Sequence, residues 1–455
     1  LQVPAALINN ITAFESLDVA SFEAVHLAGQ PPVSIRLNPA KPVATNHAWL
    51  HQQLAPIPWC AGAFYLPERP SFTLDPAYHA GAYYVQEASS MFVQHAVNFL
   101  LEGKPATLLD LCAAPGGKST LLQTAAHADS LLVSNEVIKT RVNILCENLG
   151  KWGAANVVVT QNDPAHFARL PHFFNMMLID APCSGSGLLR RDAAAANEWS
   201  LKNIALCSER QQRILADAWP ALAPGGYLLY STCSFSPEEN EYIADWLISE
   251  MAAESIPLPI PDYWGICATQ SPQHEATCYR FYPHLLKGEG FFLAVFKKPM
   301  GGNASTIAGK NIAILPKNER PAVEAWLAEP ASLELLMQQE NILAFPKHLV
   351  PQLQQIQQQL YIKKAGINMG QLVRRRLIPN HELAMYPQQH PQLPNITLTQ
   401  EQALQYLRRQ PFELNENASP GWSLVSFLDL PLGFIKIIPG RINNYYPKDW
   451  RIVHL

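Results

Sequence analysis

The stretch "LDLCAAPGGKST" (Leu109–Thr120) decides how this chain is read. It begins inside an apolar run, "TLLDLC" (107–112), that has the length of a buried strand. Small residues and the pair Gly116–Gly117 follow, and Lys118, Ser119 and Thr120 open the next segment. A strand, a small-residue turn and a helix start, in that order, begin a strand–helix–strand unit. Five further runs share the character of the first: "LLVSNE" (131–136), "NVVVTQND" (156–163), "NMMLIDAP" (175–182), "GYLLYSTC" (226–233) and "GFFLAVF" (290–296). Unbroken apolar runs of this length suit strands covered on both faces, with helical stretches such as Asn203–Leu222 between them. The expected fold is α/β, a doubly wound parallel sheet of the Rossmann-like kind over residues 101–300.

The flanks differ. Residues 1–100 are mixed and Pro-rich, with "VSIRLNP" (33–39) alternating like a strand. "GGNASTIAG" (301–309) reads as a linker, and a Gln-rich stretch around 331–360 reads as helical. A compact tail with Pro-Gly and Asn-Asn turn signals follows. The expected division is 1–100, 101–300, an accessory region at 301–372, and 373–455. A chain of 455 residues exceeds what one core serves. No apolar run approaches the length of a membrane span, and the first residues lack a secretory pattern, so a cytoplasmic protein is expected. Eight cysteines without a CxxC pair argue against a zinc site and a disulfide framework, leaving free thiols and no expected metal.

In an open α/β sheet, ligands bind beyond the carboxyl ends of the strands. The loop Cys112–Thr120 lets backbone approach a ligand closely. A Walker A loop needs glycine where Cys112 stands, and the GxGxxG dinucleotide pattern is absent. A nucleoside cofactor without phosphates, such as S-adenosylmethionine, remains. Glu136, Asp163 and Asp180 end successive strands: Glu136 suits ribose hydroxyls, Asp163 an adenine amino group, and three acids suit a sulfonium cation.

Two cysteines lie just past strand ends, Cys183 in "LIDAPCSGSG" (178–187) and Cys233 in "YLLYSTCSFSPEENE" (227–241), where Pro237–Glu241 reads as an acidic helix start. Carbon 5 of cytosine is a poor nucleophile until a thiolate adds to C6, so methylating it needs a cysteine and a carboxyl beside a methyl donor. Either thiol alone is better read as a core residue; together at one crevice they fit that chemistry.

The chain resembles the Sun-type RNA (cytosine-5)-methyltransferases. The resemblance rests on "RLNP" (36–39), "QEASSM" (86–91), "LDLCAAPGGKST", "NEV" (135–137), "QND" (161–163), "LIDAPCSGSG", "LLYSTCSFSPEENE" and "GEGFFLAVF" (288–296), in the family's order over about 35–300. It implies that Cys233 is the nucleophile and that Cys183 assists product release. It also implies S-adenosylmethionine binding by Cys112, Ala113, Ala114, Pro115, Gly116, Gly117, Lys118, Glu136, Asp163 and Asp180, with Arg141 as the basic residue after the second strand. Asp180 would also contact cytosine N3, with the Pro182 carbonyl near the amino group. DNA (cytosine-5)-methyltransferases instead attack from the Pro-Cys position, which would make Cys183 the nucleophile; the presence of both thiols favours the RNA type.

Charge is segregated. Residues 361–455 carry 11 Lys and Arg against 6 Asp and Glu, a net +5, which leaves −9 for residues 1–360 out of the total of −4. Arg374–Arg376 cluster, and "PLGFIKIIPGRINNYYPKDWRI" (431–452) interleaves basic and aromatic residues, a mixture suited to RNA. The tail resembles a PUA β-barrel, and the N-terminal region the partial RNA-recognition-like domain of the same family. Arg36, Asn38, Lys436 and Arg441 are the expected RNA contacts. The resulting expectation is a monomeric enzyme making 5-methylcytidine in 16S ribosomal RNA, acting on the small subunit or an assembly intermediate. The alternatives are a transfer RNA methyltransferase and a silent assembly factor on the same fold.

Overall fold

The computed structural model describes residues 3–43, 47, 53–191, 199–301, 309–414 and 419–453. Strands β1 (Val33–Leu37), β2 (Ala55–Pro56), β3 (Ala63–Leu66) and β4 (Tyr83–Val85) make an antiparallel sheet in the order β2-β3-β1-β4. The central parallel strands are β5 (Thr107–Asp110), β6 (Leu131–Asn135), β7 (Val157–Thr160), β8 (Phe174–Asp180) and β9 (Leu222–Thr232). They stand in the order β7-β6-β5-β8-β9. The order reverses at the β5–β8 pair, so the loops leaving those two strands diverge and open a crevice. On the far side of β9 the sheet turns antiparallel through β13 (Phe291–Lys297), β12 (Thr277–Phe281) and β11 (Cys267–Gln270), and the short β10 (Glu254–Ser255) pairs with β13.

The expected strands are all present and the first five are parallel, but the sixth, Phe291–Lys297, pairs antiparallel with β9, and β10, β11 and β12 lie between the two in sequence. The central strands are almost wholly buried, β6 and β7 throughout their length, as a sheet covered on both faces requires.

The region expected to be helical around 331–360 is corrected. β14 (Leu333–Gln338) and β15 (Asn341–Pro346) form a hairpin there, and only Val350–Gln359 is helix. β16 (Ile362–Ala365) then leaves this region and pairs antiparallel with β7, extending the central sheet. The Asn162 side chain locks it, donating to and accepting from the Tyr361 backbone at 3.0 Å each way. β17 (Ile367–Val373) and β18 (Arg376–Pro379) complete the β14–β15 sheet, and Arg374 and Arg375 form its exposed turn at φ 50° and 59°. Of the segment read as a linker, 301–309, residues 302–308 lie outside the described residues.

The C-terminal sheet comprises β19 (Asn395–Thr397), β20 (Gly421–Phe427), β21 (Leu430–Ile438) and β22 (Arg441–Asn444). It shares one core with the N-terminal sheet, in which Ile35, Tyr83, Tyr406, Val425 and Ile435 pack together. Leu336, Leu343 and Phe345 pack into the face of the central sheet with Val133 and Val158. A chain cut near residue 300 would lose a sheet strand and two core walls, so the flanks are structurally continuous with the central sheet.

Arg36 and Asn38, expected on RNA, are corrected as well. Arg36 is fully buried, and its guanidinium donates to Gly117 O, Thr120 Oγ1 and Gln86 Oε1 while lying 4.7 Å from the Trp152 ring. Asn38 Nδ2 donates to Gly81 O and Trp152 O at 3.0 Å each. Both side chains fasten the N-terminal sheet to the two helices that flank the glycine loop, and neither reaches solvent. Arg36→Met is expected to cost about 1.5–3 kcal/mol, as for lost hydrogen bonds to a charged group. Urea unfolding should show this deficit while filter binding shows unchanged RNA affinity.

Candidate active site

The crevice is built from the ends of β5, β6, β8 and β9. After β5 the chain turns through Gly116 at φ 113°, and the helix Gly117–Ala125 begins. Space is short there: a Cβ on Gly117 would lie 3.2 Å from the Tyr84 ring. Cys112 is half-buried, Ala113 and Ala114 are buried, and Pro115 is exposed. Lys118 turns back across the crevice, and its Nζ lies 2.9 Å from Asp180 Oδ2 at the end of β8. Burial pulls the Lys118 ammonium down, but Asp180 beside it outweighs this and holds it above its ordinary value. Ser231 Oγ, one strand over, donates to the other Asp180 oxygen at 2.8 Å.

Glu136 directly follows β6, and its Oε1 accepts the Ile138 N–H at 2.9 Å. Arg141 bridges two loops: NH2 donates to Ala114 O at 2.6 Å, and NH1 lies 3.3 Å from Glu136 Oε2. Its place is therefore behind Glu136, holding that carboxylate and the small-residue loop together. Asp163 accepts the Ala165 N–H at 3.0 Å and caps the short helix Pro164–Arg169.

Sequence reasoning missed three buried supports. Asn135 Nδ2 donates to Leu111 O and Asn162 O, while its Oδ1 accepts from Thr160 Oγ1 and Asn162 N. This one side chain ties the loops after β5, β6 and β7 together. Asp110 accepts from Ser119 Oγ at 2.6 Å, and burial, against that hydrogen bond, pushes its carboxyl up to about 7. Its Oδ1 has no partner. The third is Glu239, in the acidic run read as a helix start. The run does open a helix: Pro237–Glu239 is one turn of 3-10 helix, and the α-helix begins at Glu241. That turn carries Glu239 inward and fully buried.

The two thiols meet. Cys183 Sγ and Cys233 Sγ are 2.9 Å apart without a disulfide, and the Cys233 N–H points at Cys183 Sγ at 3.3 Å. β8 and β9 are parallel neighbours with Asp180 beside Ser231 in register, which brings the loops that follow them together. The hydrogen bond with Cys233, then burial, then the charge of Cys233 raise the Cys183 thiol well above its ordinary value. Pro182 is exposed beside them, its carbonyl accepting from Gln211 Nε2 at 3.0 Å.

Lys436 and Arg441 lie elsewhere, on β21 and β22. Lys436 Nζ sits 5.3 Å from the Trp422 ring, which packs on Tyr445 at 4.4 Å, so the expected basic and aromatic mixture is real surface chemistry. Among the described residues no group of three or more His, Cys, Asp or Glu could hold a metal, and no helix is long and apolar enough to cross a membrane.

The fold is similar to a methyltransferase homolog protein from Pyrococcus horikoshii, at 28% identity and TM-score 0.52, over 65% of this chain and all of that one. The structure of NSun6 from Pyrococcus horikoshii with SFG shares the fold at 19% identity and TM-score 0.53, over 66% of this chain and 99% of that one. The reversed strand order and the crevice at its switch point place the chain among the Rossmann-like methyltransferases. Residues 99–297 match the family described as 16S rRNA methyltransferase RsmB/F, residues 3–88 the N-terminal domain of 16S rRNA methyltransferase RsmF, and residues 393–452 the methyltransferase RsmF PUA domain. Ribosomal RNA small subunit methyltransferase F of Klebsiella pneumoniae is 30% identical, over 94% of this chain and 92% of the relative. The protein of that name from Aliivibrio salmonicida is 31% identical, over 87% and 85%. The chain belongs to the RsmB/F family of 16S rRNA methyltransferases.

Proposed function

We propose that this chain transfers a methyl group from S-adenosylmethionine to carbon 5 of a cytidine in 16S ribosomal RNA, through a transient bond between Cys233 and C6 of the base. The observation that carries the reading is the contact of the two sulfurs, 2.9 Å apart, beside the Lys118–Asp180 pair. A methyltransferase acting on a heteroatom needs no thiol at all. A nucleophile with a second thiol against it answers the needs of carbon methylation.

The residues around the glycine loop fit the cofactor. Glu136, Asp163 and Asp180 supply acceptors and negative charge, and the helix Gly117–Ala125 directs its first amides at the loop. When bound, S-adenosylmethionine supplies an electrophilic methyl group. The chain's own residues do the rest. Cys233 gives up its thiol proton to solvent, its sulfur adds to C6, and the electron pair moves to C5, the atom that takes the methyl group. Asp180, fixed by Lys118 and Ser231, holds the N3 edge, and the Pro182 carbonyl faces the amino group. Once Cys233 is bonded to carbon, the hydrogen bond and charge by which it raised the Cys183 thiol are gone, and the Cys183 proton can pass to solvent. The Cys183 thiolate then takes the C5 proton, the sulfur–C6 bond breaks with its electron pair returning to Cys233, and the C5–C6 double bond re-forms. The base must be out of its helix for a thiol to reach C6.

The basic and aromatic surface around Lys436, Trp422 and Arg441 supports an RNA partner. The test supplies purified protein and labelled methyl donor with naked 16S RNA, small subunits or transfer RNA, followed by nucleoside mass spectrometry. Labelled 5-methylcytidine from ribosomal RNA alone is the expected result. Label in transfer RNA would move the substrate, and none anywhere would favour a silent assembly factor. Glu136→Ala should weaken cofactor binding by calorimetry about 10- to 100-fold, the loss of a charged hydrogen bond to the ribose.

A further inference from the structure

The two thiol loops are held by a residue that touches neither sulfur. Glu239 accepts four hydrogen bonds: from the Ser184 N–H at 2.8 Å, Ser184 Oγ at 2.5 Å, Ser234 Oγ at 2.5 Å and Gln211 Nε2 at 3.2 Å. Ser184 and Ser234 are the residues directly after Cys183 and Cys233. One carboxylate thus grips both loops a single residue from each sulfur, and through Gln211 it reaches the Pro182 carbonyl as well. The turn bearing it is pinned in place. Tyr230 OH donates to Glu239 O at 2.6 Å, and Asn240 bridges Thr232 Oγ1 and Ser234 O. Besides this clamp the loops share the backbone bond from Gly187 N to Cys233 O, and Ser186 Oγ accepts the Phe235 N–H at 2.8 Å and lies 3.4 Å from Ser234 Oγ.

We propose that Glu239 is the positioning residue of the thiol pair, setting the separation of Cys183 and Cys233 through Ser184 and Ser234. The inference rests on the reading of these two cysteines as the reacting groups. Hydroxyls alone could link the loops, since Ser184 Oγ and Ser234 Oγ are 3.2 Å apart, but a neutral pair fixes less geometry than a carboxylate with four donors. The charge has a second consequence. Burial pushes the Glu239 carboxyl up, against the hydrogen bonds from Ser184 and Ser234, yet four donors and no acceptor around it suit the ionised form. A buried anion there makes the Cys183 proton harder to remove and the Cys183 thiolate a stronger base for the C5 proton. The other groups facing the pair are the Tyr230 hydroxyl, Cys207 on the helix Leu201–Ala218, and Lys118 with Asp180 on the far side of Cys233. Among the described residues Glu239 alone joins a charge to a grip on both loops.

The test uses the full-length protein. In a Cys233→Ser background, alkylation of Cys183 by iodoacetamide is followed against pH by peptide mass, with and without Glu239→Gln. The midpoint should fall by about one pH unit, or 1.4 kcal/mol, when the charge goes; coincident profiles would overturn the electrostatic half. With both cysteines present, Glu239→Gln should lower kcat about a hundredfold with KM for RNA nearly unchanged, the signature of misplaced reacting groups. Ser184→Ala removes one hydroxyl and leaves the charge, so it should lower kcat without moving the alkylation midpoint, and it serves if Glu239→Gln does not fold. Wild-type kcat in both variants would overturn the positioning role. Alkylation needs no RNA, so a wrong substrate would leave that arm readable.

Discussion

Cys183→Ala protein incubated with its RNA and methyl donor should retain the RNA through denaturing electrophoresis, whereas Cys233→Ala protein should retain none. The two sulfurs are in contact, yet their surroundings divide the labour. The hydrogen bond with Cys233 and burial raise the Cys183 thiol well above its ordinary value, so it holds its proton. In the proposed reaction Cys233 is the partner that attacks. Removing Cys183 leaves addition and methyl transfer intact and takes away the group placed to accept the C5 proton, so the adduct accumulates. Removing Cys233 abolishes the covalent route, and a loss of about 4 kcal/mol of transition-state stabilisation would already slow methyl transfer roughly a thousandfold. The double variant should behave as Cys233→Ala does. Adducts that survive Cys233→Ala and vanish in Cys183→Ala would exchange the two roles and put the chain's chemistry with the DNA enzymes.

The elements that position this site were written locally. Each central strand announces itself by an apolar run, and the small-residue turn after β5 and the cysteines after β8 and β9 stand where the runs stop. The β14–β15 hairpin did not announce itself. "LELLMQQENILAFP" (333–346) is rich in Leu, Glu, Met and Gln, all good helix formers, and strand pairing with burial of Leu333, Leu335 and Leu336 overrides that preference. Arg36 and Asn38 show a second limit. A polar residue beside a strand looks like surface until a distant helix end arrives to accept its hydrogen bonds, and nothing local encodes that helix's position. Glu239 shows the same for the site. An acid in "SPEENE" fits a helix N-terminus, and only the meeting of two loops 50 residues apart in sequence makes it a buried clamp.

Arg280→Met should be the most destabilising single change outside the apolar core, costing about 3–5 kcal/mol, because it leaves buried acid behind without its partner. Arg280 on β12 and Glu241 at the start of the helix Glu241–Met251 are 2% and 0% exposed. Nε donates to Glu241 Oε1 at 2.6 Å, and NH2 donates to the second carboxylate oxygen. NH1 reaches Phe235 O at 2.7 Å and lies 3.4 Å from Glu15 of the N-terminal segment. Burial pushes the Glu15 carboxyl up, and Arg280 opposes it. Without Arg280, Glu15 would lose the charge that opposes its burial and would be forced further toward the protonated form in the folded state. An acid that binds its proton more tightly when folded contributes stability below its folded pKa and loses it as pH rises through that value. The deficit of Arg280→Met in urea unfolding should therefore be larger at pH 8 than at pH 5. Adding Glu241→Gln should recover most of it, since the double variant buries no unpaired charge at that position. An equal deficit at both pH values, with no recovery in the double variant, would mean that packing against Phe14 rather than charge makes Arg280 necessary. Phe235 stands two residues after Cys233, so the same guanidinium that secures the N-terminal segment also anchors the far end of the Cys233 loop. Methyl transfer should fall with stability in Arg280→Met and return with it in the double variant only as far as the Phe235 carbonyl finds another donor.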